Sequence, residues 1–246
     1  MPIDYLASVR GDAQALADAA RRGRRDAPIA GCPGWDVDAL LAHLGRIYQW
    51  VLAAVDLGGA SPGKLPPAPT DRATYPDWLV AGSDELCRRL EVIDPAAPVW
   101  NFSLQPRVAA FWPRRMALET AVHRWDGESA LGDAQTIEAS IEAALASEGI
   151  DEMFAVFAPL RLADRAVELG GSLHVHCTDA EGEWTLSSND GALVVDCGHA
   201  KGDAAVRGPA STLYLMLWRR VPPDHPGLER FGNPEVLDCW LAAGVP

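Results

Sequence analysis

Apolar residues at three-and-four spacing dominate the first part of the chain. Leu6, Val9, Ala13, Leu16 and Ala20 make one stripe and predict a first helix, which the break from Ala27-Pro28 through Gly34 ends. A second helix is predicted from Asp36, a good N-cap residue. Its Leu40, Leu41, Leu44, Ile47, Tyr48, Val51, Leu52 and Val55 form the wide buried face of a bundle helix, and Gly58-Gly59 stops it. Residues 60–72 read as a Pro-rich loop. A third helix follows from about Asp77 to Leu90, with Leu79, Leu86 and Leu90 inward. Residues 94–107, with Pro95, Pro98 and Pro106, read as irregular. A fourth helix is expected from Pro113, because proline suits the first helical position, to about Leu131. Residues 136–158 are helical again, with Gly149 as a candidate break.

The period then changes. Leu173-His174-Val175-His176-Cys177 alternates with period two, as a strand does. Glu183–Leu186 and Ala192–Asp196 predict two more strands, and Ala205–Arg207 a candidate fourth. Leu213–Arg220 reads as a helix entered through Gly208-Pro209. A last helix is capped by Asn233, with Pro234 at its first position and Val236, Leu237, Trp240 and Leu241 beneath. The fold class expected is α+β: a helical bundle over residues 1–160, then a small α+β domain over 161–246, with no internal repeat.

Composition narrows the function. The 246 residues suit one large domain or two small ones, and 48% hydrophobic content supplies a real core. Lys and Arg number 21 against 34 Asp and Glu, a net charge of −13 that repels phosphate backbones, so no nucleic-acid partner is expected. The one dense basic run, Arg21, Arg22, Arg24 and Arg25, suits the C-terminal end of the first helix. No apolar stretch approaches the ~20 residues of a membrane span. The start Met1-Pro2-Ile3-Asp4 lacks a secretory pattern, so the expected location is cytoplasmic. The five cysteines are odd in number and none is paired as C-x-x-C, so packing is their default role.

The fourth helix carries the chemistry. Its stripe at 112, 116, 119, 123, 126 and 130 reads Trp, Met, Glu, His, Asp, Ala. Glu119 and His123 are four apart and stack on one side of the helix. His43, between Leu40 and Ile47, points inward from the second helix, and an antiparallel bundle can set it opposite them. Three such ligands with an open position would suit a catalytic metal. An internal salt bridge between Glu119 and His123 or a neighbouring Arg is the alternative, at the cost of burying charge. His174 and His176, two apart on a strand, share a face and are a rival pair, but the sequence offers them no evident third ligand.

Two segments carry a resemblance. Pro33-Gly34-Trp35-Asp36-Val37-Asp38-Ala39-Leu40-Leu41-Ala42-His43-Leu44 and Glu119-Thr120-Ala121-Val122-His123-Arg124-Trp125-Asp126 resemble the second- and fourth-helix motifs of the mycothiol-dependent maleylpyruvate isomerase family. Ala205-Val206-Arg207-Gly208-Pro209-Ala210, Leu217-Trp218-Arg219-Arg220 and Phe231-Gly232-Asn233-Pro234 resemble its second domain. The resemblance implies an N-terminal DinB-like four-helix bundle followed by a small sterol-carrier-like domain. It implies a divalent metal, usually zinc, on His43, Glu119 and His123, with Asp126 orienting a ligand or water. It also implies an arginine from the second domain near the metal, with Arg220 lining up best and Arg219 its rival.

The partners implied are a low-molecular-weight thiol, mycothiol, and a small-molecule electrophile. In an isomerase the thiolate adds to an activated double bond, the new single bond rotates, and elimination gives the trans product. In an S-transferase the thiol stays attached to the electrophile. A metal-dependent hydrolase, with Asp126 as base, and a non-enzymatic small-molecule-binding protein are the alternatives. The chain is expected as a monomer or a small homo-oligomer.

Overall fold

A computed structural model of the chain describes residues 3–132 and 141–245. The chain divides into two compact units, Met1–Ser140 and Ile141–Pro246. The fold class is α+β, a helical unit followed by a unit built on a sheet. The division falls at 140/141 rather than near 160, because the helices over 143–162 group with the sheet.

The first unit is built on α1 (Tyr5–Arg22), α2 (Val37–Asp56), α3 (Tyr75–Val92) and α4 (Phe111–Ala130). Asp4 caps α1 by accepting from the Ala7 amide, and Asp36 caps α2 by accepting from the Ala39 amide. Helix α4 begins two residues before Pro113, which costs little because the amides of a first turn have no helical partner. It packs on α1, α2 and α3 and buries residues all round, from Trp112 and Met116 to Arg115, Thr120 and Arg124. Its mixed sequence therefore reflects a polar interior rather than a solvent face.

Those interior polar groups are paired across helices. The Arg124 guanidinium on α4 meets Asp12 of α1 at 2.7 Å and Glu128 one turn on at 2.5 Å. Tyr48 of α2 and Thr120 of α4 share a buried hydroxyl hydrogen bond of 2.8 Å, and Thr120 also donates to the Met116 carbonyl. These contacts fix α4 against α1 and α2 at the level where His43, Glu119 and His123 sit.

The second unit opens with α5 (Ala143–Glu152), a π-helical stretch over Met153–Phe157, and α6 (Ala158–Leu162). The expected helix over 136–158 is therefore found from 143, and residues 136–140 lie outside the described residues. Gly149 does not break it. A side chain there would strike the Tyr214 ring at 2.5 Å, so the glycine admits a packed aromatic instead.

The strands are β1 (Leu173–Cys177), β2 (Glu183–Asn189), β3 (Ala192–Cys197), β4 (Ala204–Gly208) and β5 (Glu229–Gly232). They form one sheet in the order β3-β2-β1-β4-β5, in which only β1 and β4 pair in parallel. Leu173, Val175, Cys177, Trp184, Leu186, Ala204 and Val206 are buried. Phe154 packs its ring on both Trp184 and Trp240, the latter on α8 (Pro234–Ala242). Helix α7 (Ala210–Leu217) completes the cover. Strand β5 was not foreseen, because Glu-Arg-Phe-Gly is exposed along its whole length and shows no buried alternation.

Removing Arg124 would strand two carboxylates in the helical unit. Arg124→Ala is expected to destabilise by about 3 kcal/mol, the cost of breaking a buried ion pair, and Tyr48→Phe by about 1 kcal/mol for one lost hydrogen bond. Urea unfolding of both variants measures the two costs, and equal midpoints would contradict the ranking.

Candidate metal centre

The centre begins in the loop between α1 and α2. Gly34 has φ +86°, a left-handed conformation that glycine takes without strain. The Trp35 amide donates to the Cys32 carbonyl at 3.0 Å, and the Ile29 amide to the Trp35 carbonyl at 2.9 Å. This closed turn sets Cys32 and Trp35 beside the start of α2. The Trp35 ring lies 4.8 Å from the His43 ring and 6.3 Å from that of His123, the latter at an interplanar angle of 29°.

Glu119 is the meeting point. His43 Nε2 lies 3.2 Å from its Oε1, and His123 Nε2 lies 3.4 Å from the same oxygen. Arg115, one turn earlier on α4, donates to Oε2. The other nitrogen of His123, Nδ1, is 3.0 Å from Asp126 Oδ2. Cys32 Sγ donates to that Asp126 oxygen at 3.7 Å. The Asp126 side chain has no exposed surface, whereas those of His43 and Glu119 are partly open.

Electrostatics follow from this geometry. Burial works against the Glu119 charge, but Arg115 and the hydrogen bonds from His123 and His43 outweigh it and hold the carboxyl well below the usual range. Burial likewise opposes a charged His123, yet hydrogen bonds to Asp126, Cys32 and Glu119 hold its proton well above the ordinary imidazole range. Two Nε2 atoms and one carboxylate oxygen thus converge, with Nδ1 of His123 tied back by a carboxylate. That is a donor set suited to a divalent cation, with an outer carboxylate fixing the ring.

The comparison with known families bears on the same residues. The family model described as the mycothiol maleylpyruvate isomerase N-terminal domain matches residues 6–127, and that of the MDMPI C-terminal domain matches residues 144–238. The chain belongs to the mycothiol maleylpyruvate isomerase family. A search of curated proteins found no match. The first match of the family spans His43, Glu119, His123 and Asp126, and the second spans the sheet and its helices. No helix among the described residues is long and apolar enough to cross a membrane.

Of the residues singled out from sequence, His43, Glu119, His123 and Asp126 come together in the helical unit. Arg220 lies in the second unit, past the end of α7. Arg219 there takes φ +61°, its amide donates to Met216, and the Arg220 amide donates to Leu215. This is a Schellman turn, closed here by an arginine where glycine is usual. It sends the two side chains apart. Arg219 donates to the Leu241 carbonyl, whereas Arg220 lies over the Trp218 ring at 5.8 Å and donates to the Trp218 carbonyl at 2.9 Å. Both line a cavity of about 550 Å³.

Three neighbours escaped the sequence reading. Cys32 reads as a packing residue in the sequence, although it precedes the Pro33-Gly34-Trp35 motif that folds back on the site. Trp35, which the sequence gives only as part of the Pro33–Leu44 segment, faces both imidazoles. Arg115 carried a legible signal, the four-residue spacing to Glu119.

A lowered carboxyl stabilises the fold above its unfolded pKa and loses that contribution as pH falls towards the folded one. In metal-stripped protein, Arg115→Met is therefore expected to lower stability at neutral pH. The gap from the parent should narrow as pH falls through the ordinary carboxylate range. Urea midpoints against pH test this, and a gap that does not change with pH would contradict it.

Proposed function

We propose that the chain is a metal-dependent enzyme using a low-molecular-weight thiol, mycothiol in keeping with its family, for cis–trans isomerisation of an activated double bond or for S-transfer. The observation that carries this reading is the convergence of His43 Nε2 and His123 Nε2 on one oxygen of Glu119, with Asp126 on the far nitrogen of His123. His43, Glu119 and His123 would hold the cation, zinc on the chemistry of two imidazoles and a carboxylate. A zinc ion there would take the place of the His123 proton and supply the positive charge that favours a thiolate over a thiol.

The protein groups have distinct tasks. Asp126 fixes the tautomer of His123 so that Nε2 faces the open side. Arg115 holds the second Glu119 oxygen and leaves the first for the cation. Trp35 covers the two imidazoles and limits water at that side. Following the family resemblance, Arg220 is proposed as the group that binds a substrate carboxylate or the developing enolate, with Arg219 as its rival. The isomerase reaction balances without an oxidant: the thiolate adds to the activated carbon, the electron pair passes to the adjacent carbonyl as an enolate, the bond rotates, and the thiolate leaves.

The hydrolytic alternative needs Asp126 as a general base. Its buried carboxylate already accepts from His123 and Cys32, which favours a supporting role instead.

Elemental analysis of protein purified without a metal-affinity tag tests the centre. A zinc that His43→Ala and His123→Ala each remove is the expected result. Asp126→Asn should keep the fold and weaken zinc binding by about 10–100-fold, read by competition with a chelator. Thiol-dependent turnover of maleylpyruvate, and of generic electrophiles, then separates isomerase from transferase. Arg220→Ala is expected to lose turnover while Arg219→Ala keeps most of it. A parent whose zinc content neither histidine variant changes would overturn the reading, leaving a binding protein with an internal polar network.

A further inference from the structure

The sheet unit holds a second set of metal-ligating side chains, away from the residues discussed so far. His174 and His176 lie two apart on β1 and share a face. The register sets His176 directly across from Glu183 on β2, so the carboxylate rises on that same face. The third histidine comes from the segment after β3. The Gly198 amide donates to the Glu183 carbonyl at 2.9 Å, and Gly198 takes φ +112°, open to glycine and strained for other residues. That turn folds His199 back over the strand pair.

All three rings aim a nitrogen at one carboxylate. His174 Nε2 lies 3.3 Å and His199 Nδ1 2.8 Å from Glu183 Oε2, and His176 Nδ1 lies 3.0 Å from Oε1. One ligand atom from each of the four residues lies within 4.8 Å of the others. In a tetrahedral zinc site with bonds of about 2.1 Å, ligand atoms stand about 3.4 Å apart. The widest pair therefore has to close by at most about 1.4 Å, and rotation of the long side chains supplies it. The chain has six histidines, and five of them sit in this cluster or beside Glu119, leaving only His225 outside. A strand pair needs no such concentration of imidazoles for its own stability.

We propose that His174, His176, Glu183 and His199 form a second binding site for a divalent transition-metal cation of the zinc class. Three imidazoles are borderline donors that select such a cation over magnesium or calcium, and the carboxylate completes the set. Four protein ligands make a closed site, which suits a structural role. The cation ties the segment following β3 to the open face of the sheet. A cavity of about 480 Å³ lined by His174, His199, Lys201, Asp203 and Phe231 adjoins the site, so its shape depends on where that segment is held. The proposal does not rest on the centre at Glu119.

The test uses the full chain in the His43→Ala/His123→Ala background, which removes the first centre and leaves the second alone. The protein is stripped with chelator and titrated with zinc, and with cobalt for its visible absorption. One equivalent of bound zinc is expected, with cobalt bands of a four-coordinate site. His176→Ala and Glu183→Gln should each abolish it. His199→Ala is the variant least able to disturb folding, because that side chain is 82% exposed. It should weaken binding by at least about 100-fold, beyond what loss of an outer-sphere partner causes. Amide hydrogen exchange over 198–203 should slow on adding zinc to the parent and not to His199→Ala. No zinc bound in the background protein, or an equivalent that His199→Ala and His176→Ala both retain, would overturn the proposal and leave Glu183 as a hydrogen-bonding partner of three imidazoles.

Discussion

One carboxylate organises the helical unit. Glu119 sits in the middle of a helix packed on three neighbours, its side chain only partly open, where an unpaired charge is costly. It stays ionised because Arg115 holds one oxygen while two imidazoles from two different helices face the other. Each of those partners must itself be held. Asp126 holds His123, Trp35 covers His43, and the Gly34 turn holds Trp35. The arrangement of α2 against α4, and the closed loop before α2, are consequences of keeping that charge where it is.

The same logic explains the composition of α4. A helix packed on three neighbours would ordinarily be apolar throughout. Here the buried Arg124 with Asp12 and Glu128, and Tyr48 with Thr120, supply polar contacts that fix helix register as well as strength. Apolar packing tolerates sliding by a fraction of a turn, whereas a hydrogen bond does not. Nitrogens on two helices can meet one oxygen only if that register is fixed. The polar interior is thus part of how the site is held in geometry.

Much of this was legible in the sequence. Three of the bundle helices followed from apolar periodicity, whereas the fourth was legible from Pro113 at its start and from polar residues at core spacing along it. His43, Glu119, His123 and Asp126 stood out because polar residues at core spacing need a reason. What sequence could not supply was contact between distant segments. Cys32 reads as a small packing residue until the turn at Gly34 brings it to Asp126. The helices over 143–162 read as more bundle, since a helix pattern says which face is buried but not against what. Their partners Trp184, Tyr214 and Trp240 lie far along the chain. Strand β5 left no trace because pairing by backbone alone requires no pattern in its side chains.

The cluster on the sheet shows the same limit from the other side. His174 and His176 advertise a shared face through their spacing, yet two ligands do not make a site. Glu183 reaches them only through the register of β1 on β2, and His199 only through a left-handed glycine. Neither relation is periodic, so neither can be read from a window of sequence. Local spacing nominates pairs, and tertiary register decides which pairs acquire a third and fourth ligand. In the bundle that register is fixed by buried polar contacts between helices. In the sheet it is fixed by the ladder of backbone hydrogen bonds, which sets side chains opposite one another without regard to their chemistry. The same fold can therefore keep its sheet and lose the cluster by a single change at His176 or Glu183, whereas the helical centre is bound into the packing that holds its helices together.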